Sequence, residues 1–391
     1  MPTPRFRRSF VPALVLSAAI LACGPGTNPP EGAPEPQSQG GRIRPSTPRA
    51  GLDSSRRNTV TENGRPDVPP RAGTIVVANQ EGATATVLDA ATLRTIATVP
   101  VGVGPHEVAV SPDGRWAVVT IYGDRAAPGH TLAVIDLALP TPAVTRTIEL
   151  GQYTRPHGVA FASGGSTLLV TSETTQRLVL LHFGSGVVDT ALATNGRGSH
   201  MVAAQRDGRR AWTGNIGDGT ITEFDIGARR TMRTYPGAPA DEAIAASPGG
   251  VQVWVGSNQT HVVNVFDAAK GEKIATLEGF GMPYRIGISR TGRVAAVIDP
   301  PRNRIWIYEL GSNKKLAELD LGGVPGIPST TSGTGAGPEG ITFDPISDYA
   351  YVTLHGTNQV AAVDLGTLKV VAVGGVGAGP DGIAFSAMVR R

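Results

Sequence analysis

Seven side chains capable of chemistry recur along this 391-residue chain at nearly regular intervals. They are His106, His157, His200, Glu242, Tyr284, Glu339 and Asp381, separated by steps of 51, 43, 42, 42, 55 and 42. If the repeats fold alike, these residues meet in one belt in which three consecutive imidazoles stand beside carboxylates. Such a set can bind a divalent metal, with zinc, copper and manganese the candidates, or move protons. His106, His157 and His200 are the candidate metal ligands. His157, His200, Glu242 and Glu339 are the candidate acids and bases, and His106, His130, Tyr284, Arg285, His355 and Asp381 are candidate ligand contacts. The competing reading is structural: strand parity groups the belt residues with Val108, Val159 and Val202, against the neighbouring repeat, where they would bond loop backbone. Tyr284 with Arg285 breaks the His/Glu/Asp pattern.

No other catalytic signature stands out. There is no nucleophile elbow, phosphate-binding loop or closely spaced zinc motif. The glycine-rich runs at 332–337 and 372–379 lack a strand-to-helix setting. Covalent haem attachment is excluded because Cys23 is the only cysteine, so no Cys-x-x-Cys-His exists.

The elements that must position the belt follow from the same period. Each belt residue sits in a repeated phrase (GPHEVAV, RPHGVAF, GSHMVAA, ADEAIAA, MPYRIGI, GPEGITF, GPDGIAF) that opens an apolar strand. Three further short β-rich runs follow before the next copy, as in VQVWVG, HVVNVFD and KIATLEG, with glycine, proline, asparagine and aspartate turns between them. Runs of five to seven β-branched residues are strands. A repeat of four strands and about 42 residues is a propeller blade, because one twisted sheet must stack radially on its neighbours to bury both faces. The expected fold is all-β, a seven-bladed propeller over 73–391, with the last phrase completing the blade begun by residues 74–101 and so closing the ring. Asp89, Asp136, His182, Asp225, Asp267, Glu309 and Asp364 end the third strands, where short polar side chains bond turn backbone. The long steps of 51 and 55 mark insertions at 122–130 and 322–337, both on the belt's rim. The second has the composition of a lid or of flexible filler. His130, His355 and His261 map to that rim as well.

The repeats SPDGRWAVVT (111–120) and DYAYVTLHGTNQVAAVDLGTLKVV (348–371) resemble those of the YVTN family of bacterial β-propellers, over roughly residues 73–388. The resemblance implies the propeller fold and a secreted setting; activity does not follow from it. Distantly similar propellers include lactonases and lyases with metal at the channel mouth, and others that hold haem-type or quinone cofactors.

The chain's address is written in its first residues. Arg5, Arg7 and Arg8 precede an apolar run from Val11 to Ala22 that is too short for a permanent span and reads as a signal peptide, residues 1–22. Ile20-Leu21-Ala22-Cys23 resembles a lipobox, making Cys23 the expected lipidation point of an exported, outer-membrane lipoprotein. Residues 23–72, rich in proline, glycine, serine and arginine, read as a disordered tether. The sequence pI of about 9.1 comes from these segments. Residues 73–391 carry 25 basic and 27 acidic side chains. A nearly neutral domain of this kind has no electrostatic footprint for nucleic acid.

The leading expectation is a non-catalytic envelope propeller that binds a protein, glycan or small molecule on its loop-rich face. The alternative is a metal-dependent hydrolase or lyase, and a third possibility is a periplasmic redox accessory.

Overall fold

The structure is a computed structural model and describes residues 70–328 and 335–389. The signal segment, Cys23 and nearly all of the tether lie outside the described residues, as does the middle of the 322–337 insertion.

Seven four-stranded antiparallel sheets form the propeller. Blade 1 combines Thr74–Asn79, Thr84–Asp89 and Thr95–Pro100 with the late strand Pro380–Ser386, which becomes its innermost member. The register runs Thr74↔Ser386 and Val77↔Ile383, so the ring is closed by backbone pairing between the two ends of the repeat array. The inner strands of blades 2 to 7 are Pro105–Val110, Pro156–Phe161, Ser199–Ala204, Asp241–Ala246, Arg285–Ile288 and Pro338–Phe343.

Alternation along each strand distributes the core. In Thr74–Asn79, Val76 and Ala78 pack with Val119 and Ile121 of blade 2, whereas Ile75 and Val77 pack with Tyr351 and Ala362 of blade 7. Each sheet therefore buries both faces against its two neighbours, which an isolated blade cannot do. The acidic ends of the third strands fill the turn role read from sequence. Asp89, Asp225 and Asp267, for example, each accept a backbone N–H three residues on, at 2.8, 2.9 and 2.9 Å.

The 122–130 insertion extends a hairpin instead of forming a free loop. Its strands Trp116–Gly123 and Pro128–Asp136 pair out to Gly123↔Pro128, and the Asp124 carboxylate caps the tip by accepting the Ala126 and Ala127 N–H groups.

Candidate functional site

The belt residues stand at the starts of the inner strands, where an extra residue interrupts the ladder. In blade 2, Pro105 pairs with Ile121 but Val108 pairs with Val119, so His106 and Glu107 occupy a bulge; blades 3, 4, 5 and 7 shift register at the same place. A bulge breaks the two-residue parity and re-aims side chains. Parity with Val108, Val159 and Val202 thus stops governing where the belt residues point, and they converge beside the axis.

The residue after each belt position decides what crosses the axis. These second positions are Glu107, Gly158, Met201, Ala243, Arg285, Gly340 and Gly382. The small ones admit neighbouring backbone: a Cβ on Gly340 would lie 2.2 Å from the Asp381 carbonyl oxygen, and one on Gly382 would lie 2.3 Å from that of His106. The large ones meet in the space left. Arg285 of blade 6 reaches Glu107 Oε1 of blade 2 at 2.6 Å, Asp381 Oδ1 of blade 1 at 3.3 Å and Met201 Sδ of blade 4 at 2.9 Å. The guanidinium closes the channel like a bolt.

Beside it the three histidines are stacked. Ring centroids are 4.0 Å apart for His106 and His157 and 3.6 Å for His157 and His200. The two outer rings are each held by a carboxylate: His106 Nδ1 lies 2.7 Å from Asp381 Oδ2, and His200 Nε2 lies 2.8 Å from Glu242 Oε1, while Asn258 donates to Glu242 Oε2 at 3.2 Å. On its other side, His200 Nδ1 contacts Glu173, whose second oxygen accepts the Tyr122 hydroxyl. The central ring differs. His157 is 1% exposed, and among the described residues neither ring nitrogen has a hydrogen-bond partner.

The titration of these groups follows their surroundings. Burial, then repulsion from His106, His200 and Arg285, holds His157 well below the usual histidine value. Burial also pushes His200 down, but Glu242 and Glu173 more than reverse this and bring it to about 9. The same contest, won by Asp381, raises His106. Burial pushes Asp381 up, yet His106 and Arg285 hold it at about 2. Glu107 is raised by burial against the pull of Arg285. Burial thus favours the neutral form of His157, whereas their carboxylate partners favour the charged forms of His106 and His200 on either side of it.

The sequence candidates divide into those at the cluster and those apart from it. His106, His157, His200, Glu242, Arg285 and Asp381 belong to it. Tyr284 abuts it, with its ring 5.2 Å from the Arg285 guanidinium carbon. Glu339 and His355 form a satellite pair, Oε2 to Nδ1 at 3.1 Å, with Glu81 at 3.6 Å from the other ring nitrogen. His130 stands apart, pairing at 3.4 Å with the exposed Glu149. Two acids escaped the sequence reading, Glu107 and Glu173. The first was visible as one of three large members, with Met201 and Arg285, of an otherwise small second position. Glu173 follows a second strand, and nothing in the repeat marks it.

Donor atoms of two groups converge within 4.8 Å: His106, Glu107 and His157, and His157, Glu173 and His200. Five carboxylates (Glu107, Glu173, Glu242, Glu339, Asp381) stand here with Arg285 and with His106, His200 and His355, whose proton affinity they raise, so a metal cation would enter in exchange for a proton.

A family model described as the cytochrome D1 heme domain matches residues 185–391, slightly more than half of the chain. No curated protein matches. Among solved structures, the hydrazine synthase of Kuenenia stuttgartiensis is similar at 17% identity and a TM-score of 0.59, over 70% of this chain and 87% of that one. A functionally unknown protein from Desulfotomaculum acetoxidans is similar at 14% identity and a TM-score of 0.67, over 81% and 99%. At these identities the two structures speak for the fold alone.

Proposed function

Since the chain belongs to the cytochrome D1 heme domain family, the starting point is whether its residues suit a haem, and we propose that they instead form a non-haem metal centre in an envelope propeller. A macrocycle at the polar mouth would have to displace Arg285 from two carboxylates and pull an imidazole out of a close stack. Among the described residues, the wide cavity at the opposite mouth is lined by no histidine, cysteine, methionine or tyrosine to serve as an axial ligand. Neither place fits the group.

A single ion fits better. The observation that carries this reading is His157, a fully buried imidazole whose two nitrogens lack partners although carboxylates and histidines surround it. Leaving such a group unsatisfied costs about 1–3 kcal/mol, and metal coordination removes that cost. Of the two donor groups, His157, Glu173 and His200 are favoured, because Glu107 is already neutralised by Arg285, whose charge repels a cation. Two imidazoles and a carboxylate match the donor set of catalytic zinc sites and also suit copper. Glu242 orients His200 from behind and Tyr122 orients Glu173, as outer partners of metal ligands do. The bound ion would replace the proton shared by His200 and Glu173. It would supply either a Lewis acid for hydrolysis, as in the lactonase-like reading, or a redox couple, in keeping with the haem-related family.

The test is metal content by mass spectrometry of the untagged chain carrying Cys23→Ser, which removes the expected lipidation point. About one equivalent of zinc or copper is expected, lost in His157→Ala and in His200→Ala but retained in Glu107→Gln. A native protein that takes up no zinc, copper or manganese would overturn the proposal. Recognition of a partner, the leading expectation from the sequence, becomes the second reading. It is favoured by the ordered 122–130 hairpin, which is braced by Arg155 stacked 4.8 Å over Tyr122 and bonded to the Asp124 carbonyl at 2.9 Å.

A further inference from the structure

The inner strands run from the polar mouth to a second one, and there the molecule is open. A cavity of about 730 Å³ lies among the C-terminal ends of the inner strands and the turns that follow them. That volume is in the range of small-molecule sites. Its wall is mixed: Phe161, Ile288 and Phe385 form an apolar part, Ser111, Gln205 and Thr291 a polar part, and Ile346 at its edge is 67% exposed. An exposed aliphatic side chain beside the apolar part of such a wall gives a hydrocarbon chain a place to lie, while the polar part suits a head group.

The charges lining this cavity are unbalanced. Among the described residues Asp113 is its only acid, and it is committed to its own turn, accepting from the Ser111 hydroxyl and from the Arg115 N–H at 3.1 Å. Two arginines face it, Arg206 from blade 4 and Arg290 from blade 6. They approach across the short Ser247-Pro248-Gly249-Gly250 turn of blade 5, with Arg206 Nη1 3.5 Å from the Arg290 carbonyl oxygen. Among the described residues, neither guanidinium is paired with a carboxylate. Burial and the charge of Arg206 both lower the affinity of Arg290 for its proton, the strain expected of like charges without a counter-ion. Guanidinium pairs bind carboxylates through parallel N–H donors.

We propose that this cup binds a free amphiphilic carboxylate, with its chain against the apolar part of the wall and its head group on Arg206 and Arg290. The site is independent of the metal centre, because the Arg285 bolt and the histidine stack separate the two mouths.

Isothermal titration of the Cys23→Ser chain with dodecanoate, below its micelle concentration, tests the proposal. Butyrate and dodecyltrimethylammonium serve as probes of chain and charge. Dodecanoate is expected to bind, with affinity rising up to about fourfold per methylene from octanoate onward, as burial of each group predicts. Arg206→Gln with Arg290→Gln should weaken it at least tenfold. Both residues are exposed on turns, so the double variant should keep the native circular dichroism. Metal content should not change, which separates failure here from failure at the other mouth. Three results would overturn the proposal: no dodecanoate binding, equal binding of the cationic amphiphile, or undiminished binding by the double variant. Sedimentation of the chain with phosphatidylglycerol vesicles in place of dodecanoate binding would overturn it in favour of a membrane surface.

Discussion

At the scale of single residues, the polar mouth holds groups whose protonation is tied to the fold. His355 is brought to about 9 from an ordinary 6.5, chiefly by its hydrogen bond to Glu339, with burial opposing and the charges of Glu339, Glu81 and Asp381 assisting. The same pair draws Glu339 down, but burial and Asp381 outweigh this and leave its carboxyl above the usual value. A histidine whose proton is held more tightly when folded contributes stability that is complete below pH 6.5 and is lost as pH rises through about 9. Urea denaturation between pH 6 and 10 should therefore show stability falling across that window, with a shallower fall in His355→Asn. The slope should not vanish, because metal-free His200 titrates in the same range. An unchanged slope would separate His355 from the effect. Residue type alone could nominate His355 and His200 as titrating groups. The order of proton affinity among His106, His157 and His200 could not be read, since all three belt histidines open similar phrases and only their carboxylate partners differ.

At the scale of elements, the blades are riveted near the axis by threonines of the second strands. Thr171 Oγ1 accepts the Gly158 N–H at 2.8 Å in its own blade and donates to the His200 carbonyl of the next at 2.6 Å. Thr120 makes the same pair of bonds to Glu107 N and His157 O, and Thr353 to Gly340 N and Asp381 O. The groups they join are those left unpaired by the bulges, so the distortion that aims the belt residues inward is also satisfied locally. Thr171→Val keeps the shape and removes both bonds. It should cost about 1–3 kcal/mol in chemical denaturation, since a buried N–H and a buried C=O lose their partner. A loss of under half a kilocalorie would mean water replaces the hydroxyl. Strand positions were legible from alternation and turn residues, as the agreement between the phrases and the inner strands shows. The bulges were not, because one unpaired residue leaves the apolar pattern on either side intact.

At the scale of the whole molecule, closure depends on the last strand. Pro380–Ser386 pairs with Thr74–Asn79, places Asp381 against His106 and Arg285, and anchors Ser386, whose hydroxyl bonds the Gly114 carbonyl at 2.6 Å. Deleting residues 380–391 exposes a six-residue, fully buried strand as an open edge. The truncated chain is expected to oligomerise by light scattering and to lose a single cooperative melting transition. A monomer that melts as the full chain does would show that the ring holds without its clasp.

The sequence alone determined the repeat, the number of blades, the clasp and the rim on which the histidines gather. All of these follow from periodicities that local chemistry imposes on every copy. Only the tertiary structure decided that Arg285 bolts the channel, that Glu107 and Glu173 complete the histidine cluster, that His157 is the ring without a partner, and that the open cavity lies at the other mouth. Those features arise where unlike members of different repeats meet across the axis, at separations such as the 178 positions between Glu107 and Arg285. No local pattern carries information about which long side chain will find which small one opposite it.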